Sequence, residues 1–177
     1  MKNQHIIKTE RLVLRPLTLD DIPTVHEYAS DLDTTKYMIY LPNKTLDKTT
    51  SFVHSAILEL EKDYPLYYEF AVTTCSRHIG TVSVYLDEQR REGEFGWVLN
   101  KKYCGKGYAT ESVLALKDFS INYLKLEKIV ARCDSRNIPS QSVMQKIGLK
   151  LQTTNSVRIY PDERGEAKEH LYSLHIN

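Results

Sequence analysis

Glu94-Phe95-Gly96-Trp97-Val98-Leu99-Asn100-Lys101-Lys102-Tyr103-Cys104-Gly105-Lys106-Gly107-Tyr108-Ala109-Thr110 is the stretch that decides how this chain folds. Glu94 to Leu99 has strand composition. A polar loop then leads through Gly105-Lys106-Gly107 into a helix expected over Lys106 to Leu124. Ala109, Val113, Leu116 and Tyr123 recur on one face of that helix, and Leu114, Phe119 and Ile121 widen it. The first turn of a helix has amides without intrahelical partners and a partial positive charge. Glycines there let an anion approach the backbone closely, and Lys102 and Lys106 add mobile charge. On its own, Gly105-Lys106-Gly107 reads first as a tight loop before a helix.

Working outward, Arg11 to Arg15 alternates like a strand and stops at Pro16. Thr18 with Asp21 predicts an N-cap, followed by a helix carrying Ile22, Val25, Ala29 and Leu32. A second helix is expected from near Asp47. Phe52, Val53, Ala56, Ile57 and Leu60 form its apolar stripe, and Glu59, Glu61 and Lys62 lie on a solvated face. Strands are expected at Tyr68–Thr74, His78–Leu86 and Glu94–Leu99, with Gly93 turning the chain before the third. Ile129–Cys133 reads as a buried strand, and Pro139 opens a short helix that stops at Gly148. Strands at Val157–Tyr160 and His170–Ile176 follow. The order is β-α-α-β-β-β-α-β-α-β-β, an α/β (α+β) class fold. It predicts a mixed, mostly antiparallel sheet of about seven strands with about four helices.

Composition mostly excludes. The 177 residues predict one domain, residues 1–177, large enough for a substantial core. A net charge of +1 gives no electrostatic footprint for nucleic acid or an anionic membrane. Three cysteines, Cys75, Cys104 and Cys133, with no CxxC pair argue against a disulfide framework or zinc site and favour a reducing cytosol. The opening Met1 to Lys8 lacks an apolar core of signal-peptide length, and no stretch reaches membrane-span length. The six histidines show no metal-ligand spacing, so no metal is expected. Tyr37 and Tyr40 are candidates for an acceptor pocket, and equally for amphipathic packing. The chain contains only 7 glycines, yet five fall between Gly80 and Gly107.

Two phosphate motifs compete for Gly105-Lys106-Gly107. Walker A fails, because no Gly-Lys-Ser/Thr exists. The dinucleotide fingerprint matches two of three glycines in Gly105-x-Gly107-x-x-Thr110. In that motif, however, the strand runs almost directly into the first glycine, whereas here Asn100 to Cys104 intervene.

Taken together, four segments resemble the GNAT superfamily of acetyl-CoA-dependent N-acetyltransferases. The branch they most resemble includes the ribosomal-protein N-terminal acetyltransferases RimJ and RimL. They are Thr9-Glu10-Arg11-Leu12-Val13-Leu14-Arg15-Pro16, Glu94–Leu99, Gly105–Glu111, and Asn137-x-x-Ser140-x-x-Val143-Met144-x-Lys146-x-Gly148-Leu149. Each is weak alone, but their common order spans nearly the whole chain. Lys102 stands where the superfamily loop usually has Gln or Arg, and Met144 stands where many members carry a tyrosine general acid. Leu149 replaces a common Phe.

The resemblance implies acetyl transfer from acetyl-CoA to a primary amine in a ternary complex, without a metal. The implied acceptor is a protein N-terminal α-amine; polyamines and aminoglycosides stay open, as does a non-catalytic acyl-CoA-binding module. It implies that pantetheine lies beside Trp97, Val98 and Leu99, with an amide near Val98 polarising the thioester. The amides of Gly105, Lys106, Gly107, Tyr108, Ala109 and Thr110 and the charge of Lys102 would hold the pyrophosphate, and Asn137 the pantetheine arm. Glu94 is the candidate base, or a solvated strand-end carboxylate. Ser140 is the candidate acid, since Met144 cannot donate, or a helix-start cap. A cytoplasmic monomer or homodimer is expected.

Overall fold

The computed structural model describes residues 5–40 and 42–176; Met1–Gln4, Leu41 and Asn177, within the expected domain, lie outside the described residues. Its frame is one sheet of eight strands. They are β1 (Ile7–Lys8), β2 (Val13–Pro16), β3 (Tyr67–Thr74), β4 (Arg77–Leu86), β5 (Glu92–Leu99), β6 (Lys128–Asp134), β7 (Lys150–Ile159) and β8 (Glu166–His175). Their order across the sheet is β1-β2-β3-β4-β5-β6-β8-β7. All pairs are antiparallel except β5 with β6. A parallel pair needs a crossover, and the helix entered through Gly105-Lys106-Gly107 supplies it. The helices are α1 (Ile22–Ala29), α2 (Leu32–Thr35), α3 (Leu46–Glu61), α4 (Tyr108–Asn122) and α5 (Ile138–Lys146).

Strand alternation divides the core between the two sheet faces. One face carries Phe70, Val72, Val82, Val84, Phe95, Leu99, Ile129 and Ala131, packed with Val113, Leu116 and Phe119 of α4 and Met144 of α5. The other carries Ala71, with Tyr67 and Val98 at its margin, against Val25, Tyr28 and Ala29 of α1 and Val53 and Ala56 of α3. Among the described residues no helix is long and apolar enough to cross a membrane.

Several expectations shift. Among the described residues eight strands and five helices form, close to the expected seven and four; two-residue β1 and four-residue α2 are too short for periodicity to reveal. The first strand runs Val13–Pro16 instead of Arg11–Arg15. After Thr18 the chain takes a 3-10 turn over Leu19–Asp21. The helix that follows ends at Ala29, which leaves Leu32 72% exposed and outside the core. Glu59 is buried, not solvated: its carboxylate accepts from Leu66 N at 2.6 Å and from Lys62. Gly93 lies within β5, where a Cβ would meet Leu126 Cδ1 at 2.4 Å, so it serves close packing and not a turn. Tyr123 follows α4 and is exposed. β7 starts at Lys150, seven residues before the expected strand; its polar first half is an edge with no periodic signal.

Candidate active site

β5 and β6 pair only through Glu92↔Lys128, Gly93↔Ile129 and Glu94↔Val130, and then diverge. β5 stays paired with β4 as far as Leu99, while β6 continues beside β8 to Asp134. A wedge therefore opens in the middle of the sheet, between the second halves of β5 and β6.

Hydrogen-bond parity fixes what β5 offers to that wedge. Asp87 N donates to Glu92 O at 3.0 Å and Asn100 N to Ile79 O at 2.9 Å. In a regular antiparallel pair the bonded residues alternate. Glu92, Glu94, Gly96, Val98 and Asn100 thus turn their backbone groups to β4, and Trp97 and Leu99 turn theirs to the wedge. The amides facing the opening are those of Trp97 and Leu99, on either side of Val98, whose own amide faces β4. Tight spacing holds this edge. A Cβ on Gly80 would lie 2.2 Å from Val98 O, and one on Gly96 2.8 Å from Ser83 Oγ.

Beyond β5 the chain turns through Lys101–Tyr103, with Asn100 Oδ1 accepting from Lys102 N at 3.1 Å. Gly105 and Gly107 take left-handed φ values of 77° and 82°. A side chain at Gly105 would meet nothing within 4 Å, and one at Gly107 only Arg11 Nη2, at 3.2 Å. The first i→i−4 bond of α4 is Glu111 N to Gly107 O at 3.0 Å. The amides of Tyr108, Ala109 and Thr110 precede it and have no intrahelical acceptor. An open, glycine-lined cradle of unbonded amides at a helix start fits a diphosphate.

The N-terminal segment clamps this loop, a link absent from the sequence reading. Arg11 Nη1 donates to Lys106 O at 2.9 Å, Arg11 Nε to Glu111 Oε2 at 2.7 Å, and Thr9 Oγ1 to Glu111 Oε1 at 2.5 Å. Burial pushes the Glu111 carboxyl up, but these donors outweigh it and hold the group below its ordinary value. Lys102 pairs with Glu27 of α1, and Lys106 lies over the Tyr103 ring. Two surface hollows of about 510 and 600 Å³ flank this N-terminal segment and not the wedge. The wedge is an open notch lined by the backbone groups that β5 and β6 leave unpaired beyond Glu94↔Val130.

Glu94, Gly96 and Val98 share the sheet face covered by α1 and α3. The Glu94 side chain is 46% exposed, with Arg132 Nε 3.7 Å from its Oε2. Its pKa is raised, chiefly by burial, with Arg132 opposing and Glu169 adding to the rise. Asn137 caps α5: its Oδ1 accepts from Ser140 N at 3.2 Å. Its two amide N–H donors make no hydrogen bond among the described residues and stay available to a ligand. The cap is thus Asn137 and not Ser140, whose half-buried Oγ has no hydrogen-bond partner among the described residues. Met144 is 1% exposed in the core. Cys104 is surface-located with its pKa raised by burial, the opposite of an activated nucleophile. Among the described residues no cluster of His, Cys, Asp or Glu is arranged for a metal.

Two further carboxylates share the sheet face of Glu94. Glu69 on β3 is 4% exposed and hydrogen-bonded with Thr81, Ser83 and Tyr85; burial raises its pKa to about 7. The available signal was an acid inside the otherwise buried run Tyr68–Thr73. Asp134, at the end of β6, is fully buried. It is held by bidentate Arg136 and by Tyr160 Oη at 2.8 Å. Burial opposes ionisation there, but these bonds prevail and bring its pKa to about 2.

Comparison with known proteins points one way. The acetyltransferase (GNAT) domain family matches residues 11–150. An uncharacterized N-acetyltransferase of Bacillus subtilis (strain 168), YnaD, is 32% identical over 146 residues, 81% of this chain and 82% of that protein. The spermidine N(1)-acetyltransferase of Escherichia coli (strain K12) is 24% identical over 159 residues, 86% and 77% of the two chains. A GNAT-family acetyltransferase from Bacillus anthracis superposes with a TM-score of 0.85 at 30% identity, covering 97% of this chain and 98% of that one. RimL, the ribosomal L7/L12 α-N-protein acetyltransferase, in complex with coenzyme A, shares the fold with a TM-score of 0.83 at 17% identity, covering 97% and 98%.

Proposed function

The chain belongs to the GNAT acetyltransferase family, acetyl-CoA-dependent acyltransferases, and from that premise we propose that it acts as one domain acetylating a protein N-terminal α-amine. One observation carries the site assignment: pairing of β5 with β6 stops at Glu94↔Val130, so the wedge faces Trp97 and Leu99 and leads to the amides that open α4. An extended pantetheine arm fits as an added strand on the backbone of Trp97 and Leu99, and Val98 contributes only its side chain. The amides from Gly105 to Thr110 cradle the pyrophosphate, with Lys102 and Lys106 at its margin. Asn137 keeps an amide donor for the arm.

The bound thioester supplies the acetyl group. Trp97 or Leu99 N–H, already aimed into the wedge, polarises its carbonyl without reorganisation. Glu94, directly or through a water, takes the proton lost by the attacking amine. As the new C–N bond forms and the C–S bond breaks, Ser140 Oγ gives a proton to the departing sulfur. The raised pKa of Glu94 brings it closer to the amine it must deprotonate.

The N-terminal acceptor is supported by the motifs shared with the RimJ and RimL branch. A polyamine is the competing acceptor, favoured by the relative named as a spermidine acetyltransferase. Gly107→Asp tests the cofactor site, because it puts a carboxylate into the anion cradle. Calorimetry should detect no coenzyme A binding by this variant and normal binding by Gly165→Asp, which changes a left-handed glycine in the β7–β8 hairpin. Wild-type affinity in Gly107→Asp would remove the assignment.

A further inference from the structure

The sheet face that carries Glu94 continues across β6, β8 and β7. Glu94 is level with Val130, and Arg132 is two residues further on β6. Arg132 is level with Leu171, Glu169 is two residues from Leu171, and Arg158 is opposite Ala167. Side chains two apart on a strand share a face, so Glu94, Arg132, Glu169 and Arg158 form one row. The row pairs acid with guanidinium twice. Arg132 Nε lies 3.7 Å from Glu94 Oε2, and Arg158 Nη2 3.1 Å from Glu169 Oε1.

The two pairs differ in availability. Arg158 is 8% exposed and closed against Glu169, although its Nε has no hydrogen-bond partner among the described residues. Arg132 is more open, and 3.7 Å is too long for a hydrogen bond. Its guanidinium donates no hydrogen bond among the described residues, so only the loose ion pair with Glu94 holds its planar fork. Arg132 follows the last β5–β6 pair by two residues, about 7 Å along the margin of the wedge. An amine at Glu94 would thus have beside it a guanidinium whose Nε lies 3.7 Å from the Glu94 carboxylate and whose fork is not engaged in a hydrogen bond among the described residues.

We propose that Arg132 is a specificity-determining residue that selects acceptors carrying a carboxylate just behind the reacting amine, which makes the preferred substrate an acidic peptide N-terminus. A guanidinium fork matches a carboxylate in two parallel hydrogen bonds, while the neighbouring Glu94 favours the ammonium. A polyamine brings only positive charge and meets Arg132 beside the carboxylate it needs. This inference rests on the reading of the Glu94 face as the acceptor site.

The test compares short peptides that differ only at the second residue, Ser-Asp-, Ser-Asn- and Ser-Lys-, together with spermidine, on wild type, R132A, R132K and R132E. Wild type should prefer the Asp peptide over the Asn peptide in kcat/KM by about tenfold, the factor for 1.4 kcal/mol. R132K should keep part of that preference, R132A should bring the ratio near one, and R132E should favour the Lys peptide. Each ratio is taken within one protein, so a variant with less folded material or a shifted Glu94 still reports. Equal use of Asp and Asn peptides by wild type, or an unchanged ratio in R132A, overturns the inference and leaves the N-terminal acceptor standing. Turnover of spermidine in place of every peptide, or of no peptide at all while coenzyme A binds, overturns both.

Discussion

Glu69→Gln offers the most quantitative check on the buried polar row beneath β5. Glu69 sits inside the sheet, hydrogen-bonded with Thr81, Ser83 and Tyr85, and burial lifts its pKa to about 7 from an ordinary 4.5. A carboxyl raised on folding contributes stability that is fully present below its unfolded pKa and lost as pH rises through the folded one. The loss between pH 5 and pH 8.5 is about 2.5 kcal/mol, at 1.36 kcal/mol per pK unit. For a chain of this size that corresponds to about 5–10 °C in Tm. Gln keeps the amide-sized shape and has no proton to lose. Thermal melts of both proteins in matched buffers should show the wild-type curve falling relative to the variant as pH rises, by that amount, with most of the change above pH 5. Parallel curves across the range would refute the assignment, because Glu69 would then titrate alike in folded and unfolded chains. The consequence reaches the site: Ser83 Oγ, a partner of Glu69, lies 2.8 Å from where a Cβ on Gly96 would be.

Other perturbations address the wedge and the clamp. Glu94→Gln should leave coenzyme A affinity unchanged while lowering kcat at neutral pH and abolishing the rising acid limb of its pH profile; that limb should lie above the ordinary carboxylate range in wild type. Gly80→Ala forces a Cβ to 2.2 Å from Val98 O, a backbone atom that cannot step aside. Denaturant titration should report a loss of about 3 kcal/mol, the upper end for overpacking. Arg11→Ala removes the donors to Lys106 O and Glu111. The KM for acetyl-CoA should rise about tenfold with kcat little changed, as expected for the loss of roughly one charge-assisted hydrogen bond, and Arg11→Lys should recover part of it.

Much of this architecture was legible because its signals are local. Phe52, Val53, Ala56, Ile57 and Leu60 announced α3 by spacing alone. Gly105-Lys106-Gly107 announced the loop before α4, since left-handed turns favour glycine. What stayed hidden depends on partners far along the chain. Nothing near Arg11 indicates Glu111, one hundred residues on. Glu59 looked solvated because no local pattern shows that Leu66 N needs its carboxylate. The first half of β7 is mostly exposed and has Leu151 as its single apolar residue, as an edge strand can, so alternation could not reveal it. Which amides near Val98 face the wedge is not legible within Glu94–Leu99, because the parity of β5 is set by β4. Arg132 reads in sequence as an ordinary charged residue in a buried strand; only the divergence of β6 from β5 gives it a role.

In the proposed site the opening between β5 and β6 receives an extended ligand arm whose phosphates reach the start of α4. Hydrogen exchange with and without coenzyme A tests this directly, amide by amide. Coenzyme A should slow exchange at Trp97 and Leu99 and across Gly105 to Thr110. Val98, already bonded to β4, should exchange slowly in both states. Protection that appears elsewhere, with Trp97, Leu99 and the loop amides unaffected by saturating coenzyme A, would contradict it.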